Sequence, residues 1–361
     1  MSTFFKRLLG NVKETEQGMK QIVIDAPASI DVIAEFNRAV SLLETNTSEA
    51  IAIMEKLAED GYVDAMTRLA EFNLSGRYVP QNNDKFFYWT QKAANLNSPV
   101  DCHNLGYAYK DGVGVAPDFE TAFKWYKKGA ELGRGVSQDY IGSLYFSGDR
   151  VPVDYNESYK WTSLAAEQGI VGALYRMALF YYQGYGVVQV DIPKAINYAK
   201  EAANQNDADS FNLVGILYNS QAMANPQEAI KWNQMAADRN DINGMFNLAT
   251  MYEEGSAGVK NEQLAVQYFE KAYGMGHIDA GMRLAIMLIN GRGTTRNPQR
   301  ALDIFLKIAE GESVGAMFNA ALMYERGDGI PANIEFAVQW YRKAANMGYQ
   351  PAIDALSRLG R

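Results

Sequence analysis

Asn104-Leu-Gly-Tyr-Ala-Tyr-Lys-Asp-Gly-Val-Gly-Val115, followed after a short gap by Phe123-Lys-Trp-Tyr-Lys-Lys-Gly-Ala130, is one copy of a pattern that recurs along most of the chain. Its Leu105-Gly106 pair has counterparts at Leu69-Ala70, Ile141-Gly142, Met177-Ala178, Val214-Gly215, Leu248-Ala249, Leu284-Ala285 and Ala320-Ala321, in steps of 36, 36, 36, 37, 34, 36 and 36. Such self-similarity is the signature of an array of small supersecondary units. Tyr109, Tyr145, Tyr181, Tyr218, Tyr252 and Tyr324 stand about one helical turn beyond the small residue. A glycine follows three residues later, from Gly76 and Gly112 to Gly327, where a left-handed residue would end a helix. Gln221 replaces it in the fifth copy, which also has the shortened step, so that connection is expected to be irregular.

The second half of each copy opens on a short acceptor side chain: Asn82, Asp118, Asp154, Asp191, Asn225, Asn261, Asn297 or Asn333. These are N-cap residues, and Pro226 and Pro298 occupy the first helical position after two of them. Seven residues beyond the caps come Trp89, Trp125, Trp161, Tyr198, Trp232, Tyr268, Ile304 and Trp340, expected as buried anchors. Eight further on, Asn97, Gly133, Gly169, Asn206, Asn240, Gly276, Glu312 and Gly348 mark a second stop. Each copy therefore reads as a helical hairpin, helix A then helix B. The register reaches back to Ile33-Ala34, Asn46 and Gly61, making nine copies. The expected organisation is an N-terminal segment 1–27, a repeat array 28–349 with a degenerate first copy at 28–63, and a capping helix at 350–361.

With 48% hydrophobic and 21% charged residues, 22 Tyr and 16 Phe, the chain is expected to fold rather than remain disordered. A net charge of −8 argues against a phosphate-backbone partner. One cysteine, Cys102, and two histidines, His103 and His277, argue against a disulfide framework, a zinc site or any cofactor built on soft ligands. Phe4, Phe5, Leu8 and Leu9 are split by Lys6 and Arg7, so no leader is expected and the cytoplasm is the expected compartment. No apolar run is long enough for membrane insertion. Residues 1–20 instead suggest a short amphipathic helix that docks peripherally on a partner or an anionic surface, or folds back on the first copy.

Two motifs suggest chemistry. Gly311-Glu-Ser-Val-Gly315 matches the nucleophile-elbow pattern and makes Ser313 a candidate hydrolase nucleophile, but that motif needs a strand entering a helix. Gly112-Val-Gly114, Gly184-Tyr-Gly186 and Gly291-Arg-Gly293 lack the continuation of a phosphate loop and read as repeat turns.

The quoted stretch closely resembles the Sel1-like repeat, and so do Arg326-Gly-Asp-Gly-Ile-Pro-Ala-Asn333 and Ala337-Val-Gln-Trp-Tyr-Arg-Lys-Ala-Ala345. The resemblance implies an all-α, right-handed α-solenoid superhelix, related to tetratricopeptide repeats and used as an adaptor or scaffold without enzymatic activity. By the same resemblance, residues two before, and two and five after, the leucine of each pair face inward. These include His103, Tyr107, Lys110, Phe146, Tyr175, Leu179, Tyr182, Asn212, Ile216 and Phe246, a candidate surface for another protein or peptide. The alternative is an inhibitor or immunity protein with a single target. Arg68, Asn104, Arg176, Asn247, Arg283 and Asn319, just before the pairs, form a polar column suited either to a peptide or to neighbouring helices.

Overall fold

A computed structural model describes residues 29–361. The N-terminal segment, with its expected peripheral contact, lies outside the described residues. Two compact units divide the chain at 117/118. Unit 1 contains α1 (Ile30–Leu42), α2 (Thr47–Glu59), α3 (Val63–Ser75), α4 (Asn83–Asn95) and α5 (Pro99–Asp111). Unit 2 contains α6 (Phe119–Glu131), α7 (Gly135–Ser147), α8 (Tyr155–Glu167), α9 (Val171–Gln183), α10 (Ile192–Ala203), α11 (Ala208–Asn219), α12 (Pro226–Ala237) and α13 (Ile242–Glu254). It continues through α14 (Glu262–Gly274), α15 (Ile278–Asn290), α16 (Pro298–Glu310), α17 (Val314–Arg326), α18 (Ile334–Asn346) and α19 (Gln350–Arg358). Among the described residues there is no strand. Short connections make neighbouring helices antiparallel, and within each unit every helix packs on the next in sequence, which defines an all-α repeat solenoid.

Caps and stops follow the sequence closely. Each expected N-cap, together with Asn46, accepts an amide from the first turn of its helix; Asn82, for example, accepts from Lys85 N at 2.9 Å. Helix A ends on a left-handed glycine at Gly76, Gly112, Gly148, Gly184, Gly255, Gly291 and Gly327. In the fifth copy the chain leaves α11 through an extended Ser220, and Ala224 takes the positive φ instead. Helix B is followed by a left-handed residue in every copy, including Glu312 at φ 63°. A Cβ costs roughly 1–2 kcal/mol in that region. Glu312 is exposed, so Glu312→Gly is expected to raise stability by about 0.5–1 kcal/mol after allowing for the freer unfolded chain, read as a higher urea midpoint.

The Gly-x-Gly turns serve two purposes. Their first glycine ends helix A; their second lies against the start of the preceding copy's helix B. A Cβ on Gly114 would sit 2.2 Å from Asn83 O, on Gly293 2.1 Å from Glu262 O, and on Gly329 2.3 Å from Pro298 Cγ. At Gly114 and Gly293, backbone thus lies against the backbone of the preceding copy. Junctions in unit 2 are also tied: Gln168 Nε2 donates to Gly133 O at 3.0 Å, and Gln205 Nε2 to Gly169 O at 2.9 Å.

One expectation is corrected. Among the expected anchors, Trp89, Trp161 and Ile304 are buried, whereas Trp125, Tyr198, Trp232, Tyr268 and Trp340 are half-buried. The consistently buried position comes one residue later, at Thr90, Tyr126, Thr162, Ala199, Asn233, Phe269, Phe305 and Tyr341. This column meets the small residue of the opposing pair. A Cβ on Gly142 would lie 2.6 Å from Thr162 Oγ1, and one on Gly215 2.6 Å from Asn233. Trp125, Trp232 and Trp340 lie at the rim, where the polar edge of the indole can be satisfied. Trp161 and Trp232 donate Nε1–H to Glu157 and Glu228 one turn back, both at 3.0 Å, and lysines cover the rings of Trp125, Trp161 and Trp340.

Candidate functional site

In unit 1, helix α5 carries His103, Tyr107 and Lys110, all half-buried. Lys110 Nζ lies 2.9 Å from Asp111, whose charge, after burial, helps raise the Tyr107 phenol above its ordinary pKa. Their spacing places them on successive turns of one helix.

In unit 2 the remaining candidates fall into four settings. Phe146 is committed to an aromatic nest, its ring centre 5.6 Å from Tyr155, 5.5 Å from Phe180 and 5.6 Å from Tyr185. Phe246 stacks on His277 at 4.3 Å. Between them, Tyr175, Leu179 and Tyr182 on α9 pack against a buried cluster that includes Ile196, Leu213, Val214 and Leu217, and are half-buried. Asn212 and Ile216 lie on α11, two turns of the following A helix, and Asn212 Oδ1 accepts from Asn247 at 2.8 Å.

The polar column is used largely between successive A helices. Arg176 reaches Asp139 at 2.8 Å, Asn247 reaches Asn212, and Arg283 reaches Glu253 at 3.2 Å. Arg68 pairs within its own helix with Glu71. The partly buried Arg176–Asp139 pair and the Asn247–Asn212 amide pair tie neighbouring A helices to one another.

Three carboxylates escaped the sequence reading. Asp207 and Asp241 cap α11 and α13, and Asp209 lies in the first turn of α11; their charges act on Tyr175. The available signal was that two successive A helices open on aspartate. Burial first, and then the charges of Asp209 and Asp207, raise the pKa of Asp241, while the Gly244 amide opposes the shift. Because the folded value is raised, the contribution of this group to stability is greatest in acid and is lost as pH rises through its folded pKa. Carboxyl-carbon NMR should place its midpoint above the usual 3.8, and Asp209→Asn should bring it down.

Ser313 caps α17 and accepts from Ala316 N at 3.4 Å, and the segment before it is helix α16 rather than a strand. Cys102 is buried, with its thiol directed to Ala94 O at 3.7 Å. Among the described residues, no three His, Cys, Asp or Glu side chains are placed to hold a metal ion, and no helix is long and apolar enough to cross a membrane.

A stacked array of capped antiparallel helical hairpins defines an all-α repeat protein. The chain belongs to the Sel1 repeat family: the family model matches residues 63–98, 99–133, 135–170, 171–207, 213–241, 242–277, 278–313 and 314–349. An uncharacterized protein of Neisseria meningitidis serogroup B, NMB1327, is 40% identical over 245 residues, 67% of this chain; the matched region spans only 42% of that protein. A Sel1 repeat protein from Oxalobacter formigenes shares the fold at a TM-score of 0.64 and 22% identity, covering 98% of this chain and 99% of that one. The protective antigen c5321 of uropathogenic Escherichia coli, described as displaying an SLR fold, aligns at a TM-score of 0.53 and 26% identity, covering 89% of this chain and 78% of its own.

Proposed function

We propose that this protein is a non-enzymatic adaptor that binds another protein through the A-helix face of its repeats. The observation that carries this reading is the stripe Tyr175, Leu179 and Tyr182: apolar side chains held by the core on one edge and open on the other. Tyrosines in this setting give large contact area at little entropic cost. Membership of the Sel1 repeat family, commonly scaffolds for protein–protein interaction, supports the same reading. His103, Tyr107 and Lys110 offer a comparable face in unit 1.

Affinity capture with the full chain, quantified by mass spectrometry, tests the proposal. A Tyr175→Ala/Tyr182→Ala variant with unchanged circular dichroism should lose at least tenfold of specifically captured protein. An unaltered captured set rejects the site, and a single tight target in place of several partners would identify an inhibitor instead of an adaptor.

A further inference from the structure

The stripe has a charge pattern that narrows the kind of partner it fits. Tyr175 lies in the second turn of α9, and the two A helices that follow present Asp207, Asp209 and Asp241 from their N-terminal ends. Asp207 accepts from the Ser210 amide at 3.1 Å and Asp241 from the Gly244 amide, so both side chains are fixed. Asp209 is exposed. Among the described residues none of the three is in an ion pair. Several other A-helix carboxylates of unit 2 meet arginines, Asp139 with Arg176, Glu253 with Arg283 and Arg292, and Glu325 with Arg358, whereas among the described residues Asp279 and Glu254 are in no ion pair either. The fold therefore supplies cations to some A-helix carboxylates, and where α11 and α13 begin it gathers three that have none.

Tyr175, Leu179 and Tyr182 pack on the buried cluster that contains Leu213, Val214 and Leu217 of α11, the helix whose start carries Asp207 and Asp209, so the apolar stripe of α9 adjoins these negative charges. A phenol ring near carboxylates that have no cationic partner favours an ammonium or guanidinium on both counts, through the ring face and through direct ion pairing.

We infer that the α9–α11–α13 face binds a partner segment that places an arginine or lysine against Tyr175 and Asp209, with apolar residues beside it on Leu179 and Tyr182. This inference rests on the adaptor reading and specifies the chemistry of the partner. Complementary charge also accelerates encounter and makes binding sensitive to salt.

The test is selection of a displayed random dodecapeptide library against the immobilised full chain, followed by fluorescence anisotropy of a selected peptide. Selected sequences should be enriched in Arg or Lys flanked by aliphatic or aromatic residues. Asp209→Asn should weaken the selected peptide about fivefold and Asp209→Lys at least tenfold, with circular dichroism unchanged because Asp209 is exposed. Raising sodium chloride from about 50 to 500 mM should weaken binding to the unaltered chain and have less effect on the Asp209→Lys variant. Enrichment without cationic residues, failure to enrich any sequence, or indifference to Asp209→Lys overturns the inference. If Tyr175→Ala/Tyr182→Ala abolishes protein capture while Asp209→Lys does not, the adaptor reading stands and the cationic partner is rejected. If both variants leave capture unchanged, both fall.

Discussion

Gly293→Ala is expected to destabilise unit 2 by about 3 kcal/mol, far more than alanine at most other positions of positive φ. Two costs add. The backbone of Gly293 lies at φ +67°, where an L side chain costs roughly 1–2 kcal/mol. In addition, the new methyl would fall 2.1 Å from Glu262 O and 2.3 Å from its carbonyl carbon, so two backbone segments would have to separate; overpacking of this kind typically costs 1–3 kcal/mol. The control is Gly169→Ala. Its φ is +72°, but nothing lies within 4 Å of the place its methyl would take, so only the conformational cost remains, about 1 kcal/mol. Urea denaturation followed by far-ultraviolet circular dichroism should show the larger midpoint shift for Gly293→Ala. Equal shifts would mean that the contact between copies contributes nothing.

The second large effect concerns the buried column of the B helices. Phe269→Ala should cost about 3–5 kcal/mol, because the ring is fully buried in the core cluster of unit 2 and its removal leaves a cavity as well as lost contacts. Trp125→Ala, although it removes a larger ring, should cost less, about 1–2 kcal/mol, since the indole is half-buried at the rim under Lys128. The order of the two midpoints is the measurement. A Trp125 variant more damaging than the Phe269 variant would return the anchor role to the tryptophan column. In an array of repeats, either loss is felt most by the copies that pack directly on the altered one.

These two columns mark where a sequence is legible and where it stops being so. The regular recurrence of tryptophan made that column the natural anchor, but visibility in a sequence reflects residue type, whereas burial reflects where the helix axis comes to rest. The buried column is chemically mixed, from Thr90 and Asn233 to Phe305 and Tyr341, and so carries no composition signal. Its size is matched locally to the small residue opposite, as Gly215 meets Asn233 and Gly142 meets Thr162. The same limit applies to the candidate binding residues. Spacing selected Phe146 and Tyr175 alike, yet Phe146 is surrounded by three aromatic rings, whereas Tyr175 packs on the cluster that contains Leu213 and Val214 of the next A helix. Both arrangements depend on side chains brought together from separate helices. The polar column is a further case: whether Arg176 and Asn247 served a ligand or a neighbour depended on what the preceding A helix placed within reach.

The amino-acid sequence by itself determined the hairpin period, the helix caps and the stops, because each is a local matter of which side chain can accept a first-turn amide and which residue tolerates a left-handed backbone. Only the tertiary structure decided which face of each helix is buried, why the second glycine of a turn must lack a side chain, and which carboxylates remain without a cation. Those are properties of distances between copies, set by packing of whole helices against one another and encoded in no single stretch of the chain.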